Sequence, residues 1–189
     1  MEGSLQFNAQ YRDPEIISDC YDVRIHIDPD FPHSLPRAWE IGHRIPRDYH
    51  TYGNDDSLCL GSPLRLLIAL GKCPTLVGYV KSCLIPYLYR HSYLERYGRA
   101  PFGQLDHGEA GVLREYEGFF GVNGSEACLE MLRLLGLKKR VANKERCPCG
   151  SGRRVGECHH KTLKRLREAA SPSWFRREYE RVRSKGTWG

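Results

Sequence analysis

Apolar and polar residues alternate over Leu5-Gln6-Phe7-Asn8-Ala9 and over Tyr21-Asp22-Val23-Arg24-Ile25-His26-Ile27, and Trp39-Glu40-Ile41 begins a third such run. A period of two puts alternate side chains on one face of a strand, so the first sixty residues predict an antiparallel meander with one face buried. Its connections contain Asp28-Pro29-Asp30-Phe31-Pro32 and Ser34-Leu35-Pro36, where proline costs no ladder hydrogen bond. The spacing then turns helical. Ser62-Pro63 can cap and start a helix over Leu64 to Leu70, and a longer helix runs from Thr75 to about Tyr97. Its apolar positions Leu76, Val80, Leu84, Tyr87, Leu88 and His91 fall at helical intervals, and Pro86 should kink or divide it. Residues 108–120 and 125–135 read as two further helices, the second stopped by Gly136. Leu163, Leu166 and Ala170 mark a short helix, and Trp174, Phe175, Tyr179 and Val182 another after Ser171-Pro172. A strand meander followed by flanking helices is an α+β layout.

Size and charge refine this picture. A chain of 189 residues, 40% hydrophobic, suits one compact core with a small appendage. The net charge of +6 is unevenly spread. Residues 1–137 carry 13 Lys and Arg against 18 Asp and Glu, net −5, whereas residues 138–189 carry 16 against 5, net +11. Lys138 to Arg146 has few large apolar residues and reads as a linker, so the expected division is a domain over 1–142 and a basic module over 143–189. The longest apolar stretch, around Leu58 to Leu70, is broken by Gly61, Ser62 and Arg65, and Met1-Glu2-Gly3-Ser4 lacks the pattern of a signal or transit peptide. The expectation is a soluble, cytoplasmic protein with no membrane partner. Its eight cysteines are then reduced thiols, metal ligands or a nucleophile rather than disulfides.

The irregular segment from Arg47 to Gly61 is the place to look for chemistry, because loops set on a rigid scaffold tend to carry function. Cys59 follows His50, Asn54, Asp55 and Asp56 there and is flanked by Leu58 and Leu60. A thiolate so placed could attack a carbonyl, although a free cysteine flanked by leucines is usually a small buried apolar residue. Cys20, Cys73, Cys83 and Cys128 lack such a loop and are assigned to packing.

The meander, the turn Phe31-Pro32-His33-Ser34-Leu35-Pro36, a third strand, and a His-containing loop running into Ser57-Leu58-Cys59-Leu60 together resemble the ubiquitin-conjugating (E2-like) family. Leu84-Ile85-Pro86-Tyr87-Leu88-Tyr89, and the stretch Tyr97-Gly98-Arg99-Ala100-Pro101-Phe102-Gly103 to His107-Gly108, resemble its bacterial members, and the likeness covers about residues 5–135. It implies that Cys59 carries a donor protein's C-terminus as a thioester, with His50 anchoring the loop that approaches it. The family's His-Pro-Asn is here His50-Thr51-Tyr52, so the supporting amide is missing from its usual place, and Asn54, or less favourably Asp56, is its substitute. The likeness further implies a bacterial antiphage (CBASS-type) setting and a donor with a flexible, glycine-ended C-terminus, such as a cGAS-like nucleotidyltransferase. The competing readings are a catalytically inactive E2-like scaffold whose basic tail binds protein or nucleic acid, and a cysteine hydrolase, which lacks a second His-and-carboxylate pair.

In the tail, Cys147-Pro148-Cys149-Gly150-Ser151-Gly152 is followed by Cys158-His159-His160. Three thiols and a histidine closed by a Gly-Ser-Gly turn supply four ligands for a tetrahedral zinc with a structural role, and a redox pair is the alternative. The run resembles the SEC-C motif, which makes His159 the fourth ligand by position and His160 its alternative. With few apolar residues around it, the module is expected to need metal to fold. The basic, aromatic-bearing helices beyond it are either a binding arm or a solvated basic face whose aromatics dock on the protein. His26 and His43 on strands, His33 in a turn, His91 on a helix and His107 before one are read as structural or surface residues.

Overall fold

The computed structural model describes residues 1–11, 15–101, 108–186 and 188. It forms two compact units, Met1–Leu105 and Asp106–Gly189. His107, Phe102 and Gly103 lie outside the described residues.

The first unit carries an antiparallel sheet in the order β1 (Glu2–Ala9), β2 (Ile17–His26), β3 (Arg37–Glu40). Its register pairs Leu5 with Tyr21 and Val23 with Glu40. The alternation read from the sequence sets the buried face, with Ile17, Tyr21, Val23 and Ile25 inward and Cys20, Asp22 and Arg24 outward. Cys20 is therefore exposed, as is Cys73; the packing role expected of these two thiols holds only for Cys83 and Cys128. β3 stops at Glu40 because that carboxylate accepts the backbone N–H groups of Gly42, Arg44 and Ile45 and turns the chain. His43, expected on the strand, sits in this bend at φ 58°.

Helix α1 (Pro63–Lys72) starts as expected, with the Ser62 hydroxyl accepting from Arg65 N–H and proline in the first turn. The long helix is divided into α2 (Leu76–Tyr79), a π turn (Val80–Leu84) and α3 (Ile85–Tyr97). Pro86 has no N–H to give to the preceding turn, and just before it Ile85 N–H bonds back to Val80 carbonyl in the wider π pattern. Gly78 is required by contact, since a Cβ there would lie 2.0 Å from the Cys73 carbonyl oxygen. These helices bury Tyr79, Leu84, Leu88, Tyr89 and Tyr93 against the sheet residues. Their tyrosines also fix loops. Tyr79 donates to the Pro36 carbonyl at 3.0 Å and Tyr89 to that of Glu15 at 3.0 Å, satisfying hydroxyls that burial would otherwise penalise.

The second unit comprises α4 (Gly108–Phe120), α5 (Ser125–Gly136), α6 (Lys139–Ala142), α7 (Val155–Cys158), α8 (His160–Ala169) and α9 (Pro172–Lys185). Tyr116, Phe120, Met131, Leu135, Val155, Leu166 and Phe175 are all buried, with Trp188 nearly so. This shared core corrects two expectations. The compact units do not divide near residue 143, because α5 packs extensively on α9. Nor is the cysteine module without apolar support, since Val155, Leu163 and Leu166 are buried.

The basic residues of the tail are partly structural. Arg167 donates to the carbonyls of Leu134 and Leu137, Arg176 to that of Gly136 and Arg165 to that of Phe119, so guanidinium groups cover carbonyls at the C-terminal ends of α5 and α4. Tyr116 donates at 2.7 Å to the buried Glu178, which Arg181 also engages. Trp188 packs edge-on against Tyr116, with ring centroids 5.4 Å apart. Of the tail-helix aromatics, Phe175 is buried while Trp174 and Tyr179 stay partly exposed. No helix among the described residues is long and apolar enough to cross a membrane.

Candidate functional site

Two constellations bring candidate chemical groups together, one in each unit. The first surrounds Cys59. Tyr52 N–H bonds to Ser57 carbonyl at 2.8 Å and Cys59 N–H to His50 carbonyl at 2.7 Å, flanking a bridge between Thr51 and Leu58. Residues 50–59 therefore form a hairpin whose open end holds His50 opposite Cys59. Leu58 N–H bonds to the Ala38 carbonyl at 2.8 Å, fastening the hairpin to β3. Leu58 is buried, and its neighbour Cys59 is left partly exposed.

The hairpin is braced from outside. Tyr87 donates to the carbonyls of Tyr49 at 2.9 Å and His50 at 3.3 Å. Burial, followed by the charges of neighbouring Tyr49 and Cys59, keeps the Tyr87 phenol protonated far above its ordinary range. The Tyr49 ring packs edge-on against His50, Tyr87 and His91. His50 adopts φ 46°, a left-handed conformation that local bracing must hold. Trp39 Nε1–H donates to the Asp55 carbonyl and Arg37 pairs with the Asp55 carboxylate, each at 2.9 Å. The Ser57 side chain and amide, with Arg37, hold that carboxyl below its usual range.

Of the three residues expected to act, His50 and Cys59 are together and Asn54 is apart. Asn54 is exposed in the turn at the hairpin tip, beyond the Tyr52–Ser57 rung. At about 3.3 Å per residue, that rung alone lies about 7 Å from the one joining His50 and Cys59. Asp56 pairs with Arg47 at 3.1 Å. Tyr87 carries no local mark in the sequence, since a tyrosine at helical spacing reads as core; its signal is the hydroxyl, which needs a partner when buried.

The second constellation is compatible with a metal site. Arg146 pairs with Arg154, while Cys147 N–H bonds to Arg153 carbonyl at 2.8 Å and Val155 N–H to Glu145 carbonyl at 2.9 Å. This hairpin turns through Gly150 and Gly152, at φ 77° and 73°, and α7 then returns Cys158 and His159 to it. One ligand atom from each of Cys147, Cys149, Cys158 and His159 lies within 4.8 Å of the others. Cys149 Sγ and Cys158 Sγ are 3.6 Å apart, and Cys147 Sγ lies 3.0 Å from His159 Nδ1. A tetrahedral centre with metal–sulfur bonds of about 2.3 Å has ligand–ligand edges of about 3.8 Å, so the donor set fits a metal ion. His160 is exposed and outside the cluster.

Supporting contacts surround the ligands. His159 Nε2–H donates to the Gly121 carbonyl at 3.1 Å, which leaves Nδ1, on the cysteine side, as the atom available to a metal. The Ser151 hydroxyl and backbone amide bring the Cys149 thiol down to about 6, while burial pushes Cys147 up to about 12. The Arg153 guanidinium lies 3.5 Å from Cys158 Sγ. Four protein ligands leave no open position for a reacting water, which suits a structural metal rather than a catalytic one. No family model matches this chain, nor does any curated protein or solved structure.

Proposed function

We propose that the chain is an E2-like transthiolating protein in which Cys59 carries the C-terminus of a donor protein and passes it to a target. The observation that supports this most is the placement of Cys59: a partly exposed thiol on a hairpin whose backbone is bonded to His50 on one side and, through Leu58, to β3 on the other. Such anchoring holds a nucleophile in one geometry, which lowers the entropic part of the barrier to attack. In the reaction, the Cys59 thiolate attacks the carbonyl carbon of a donor terminus that arrives as a thioester. The new carbon–sulfur bond forms, and the donor's former thiol leaves with the proton that Cys59 gave up. A target amine later attacks the same carbonyl, and Cys59 departs as thiol.

His50 serves as a positioning residue in this scheme, its carbonyl shared between Cys59 N–H and the Tyr87 hydroxyl. Asn54 is removed from the oxyanion role first expected of it, given its place at the hairpin tip. A donor with an extended, glycine-ended tail suits a thiol beside Leu58 and Leu60, where a bulky residue at the reacting carbonyl would be crowded. The family likeness makes a cGAS-like nucleotidyltransferase of an antiphage system the leading donor. Zinc is the metal best suited to three thiolates and one imidazole, and its part is to hold the second unit together. The test is a trap: with the activated donor, Cys59→Ser should accumulate an ester stable to reductant and Cys59→Ala should form no adduct. Function retained by Cys59→Ala would replace this reading with that of an inactive scaffold.

A further inference from the structure

The basic face of the second unit contains an arrangement that its own fold does not account for. Arg146 and Arg154 are cross-strand partners in the metal-binding hairpin, both exposed. The hydrogen bonds on either side of them, at 147–153 and 145–155, make this a non-hydrogen-bonded pair, the type in which side chains come closest. Like charges directly opposite each other destabilise a strand pair. No carboxylate is paired with either arginine among the described residues, whereas Glu145, next to Arg146 in the strand, is engaged by Arg133.

The hairpin base continues into a second basic feature. Gly156 N–H bonds to the Asn143 carbonyl at 3.2 Å, and Asn143 lines a groove of about 200 Å³ with Lys139, His160, Lys164 and Arg167. Glu168 is the one acidic residue of that lining. Lys139, Lys164 and His160 are exposed. The arginines that cap helices α4 and α5 have found work within the fold; Arg146, Arg154, Lys139 and Lys164 have not.

We infer that Arg146 and Arg154, with Lys139 and Lys164 along the adjoining groove, form a binding surface for the phosphate backbone of a nucleic acid. Guanidinium forks match phosphate oxygens, and an anion between two close arginines turns their repulsion into shared attraction. A protein partner would call for exposed aromatic or aliphatic anchors at the centre of the contact. Among the described residues of the second unit, Val141 is the one large apolar side chain that is exposed. A polyanion of regularly spaced phosphates needs no such anchor and is read without regard to sequence. This inference is independent of the chemistry at Cys59.

The experiment is fluorescence anisotropy of a labelled 20-nucleotide single-stranded DNA of mixed sequence, titrated with the metal-loaded full-length chain from 50 to 200 mM salt. Binding should weaken steeply with salt. Arg146→Ala/Arg154→Ala should bind about tenfold more weakly at 100 mM salt, with a log–log salt slope shallower by about 1.4, the expected loss of two single-strand phosphate contacts. Arg146→Lys/Arg154→Lys should keep most of the affinity. Lys139→Ala/Lys164→Ala gives the same test at positions outside the metal hairpin, should the arginine variant lose its metal. Absence of salt-dependent binding would overturn the inference, as would unchanged affinity in both alanine pairs. Polyglutamate displacing the DNA as well as unlabelled DNA of equal charge would also overturn it, in favour of an acidic protein.

Discussion

His159 donates its Nε2–H to the carbonyl oxygen of Gly121, 3.1 Å away, so a candidate metal-ligating side chain is tied to the end of a helix 38 residues earlier in the chain. Gly121 follows α4 at φ +71°, and a Cβ on it would lie 3.2 Å from His159 Nε2. The Cys147–Cys149–Cys158–His159 cluster is thereby joined to the α4–α5 part of the second unit.

Metal removal should accordingly destabilise the whole of this unit rather than a detached tail. Two of the three tryptophans, Trp174 and Trp188, lie in it, so in a Trp39→Phe background fluorescence reports this unit alone. Chelation should lower its melting temperature by roughly 10 °C or more, because binding free energy at a structural site is folding free energy. The first unit's transition, followed by hydrogen exchange in β2, should stay in place. Protein purified without chelator and found free of metal would contradict this.

Gly121→Ala should lose about 1 kcal/mol of stability from the left-handed backbone. It should also reduce metal affinity by about 10- to 100-fold, the usual consequence of disturbing a ligand's outer partner. Gly124→Ala is the control: it too has positive φ, at +88°, but open space where the Cβ would stand. Equal loss of metal affinity in both variants would show that the His159 contact is irrelevant.

Around Cys59 the bracing predicts a division of roles. Tyr87→Phe removes the hydroxyl from two loop carbonyls and should cost about 1 kcal/mol while slowing acyl transfer by about ten- to a hundredfold. Asn54→Ala should leave the rate within about twofold, as expected of an exposed substitution. The reverse order of effects, read from single-turnover rates at equal thiol content, would restore Asn54 to the site.

The first unit should weaken as pH falls. Burial holds the His91 imidazole below its ordinary value, against the opposing pull of Glu95, with Arg44, Glu40 and Asp19 also nearby. Arg44 holds the Asp19 carboxyl well below the usual carboxylate range. In both cases the unfolded chain binds the proton more readily. The His91 contribution is thus present above about pH 6.5 and lost as pH falls, and that of Asp19 is present above about pH 4 and lost below it. Amide exchange of Tyr21, Val23 and Ile25 should quicken between pH 7 and 5 beyond its intrinsic dependence, and less so in His91→Gln.

Much of this was legible in the residues. Strand faces followed from alternation, which also carried the information that Cys20 points outward with Asp22 and Arg24. Helix starts followed from Ser62-Pro63 and Ser171-Pro172, whose hydroxyls cap as expected. The four clustered ligands followed from spacing and the glycine turn. The division into units was not legible, because charge composition describes surfaces, whereas the pairing of α5 with α9 is a long-range packing choice. The Gly121 carbonyl and the Tyr87 hydroxyl escaped for a related reason: each acts on a partner 37 or 38 residues away, and no local pattern marks such a contact.

The central claim, that Cys59 is the thiol built for acyl transfer, is tested most directly by competition within one molecule. Cys20 and Cys73 are more exposed than Cys59 but lie outside the hairpin, so they serve as internal controls. The protein would be incubated with a short flexible peptide bearing a C-terminal glycine thioester, and the site of acylation read by intact and peptide mass before and after hydroxylamine. The account predicts a single hydroxylamine-sensitive adduct on Cys59, absent from Cys59→Ala. Acylation shared among Cys20, Cys73 and Cys59 in proportion to exposure, or undiminished in Cys59→Ala, would contradict it.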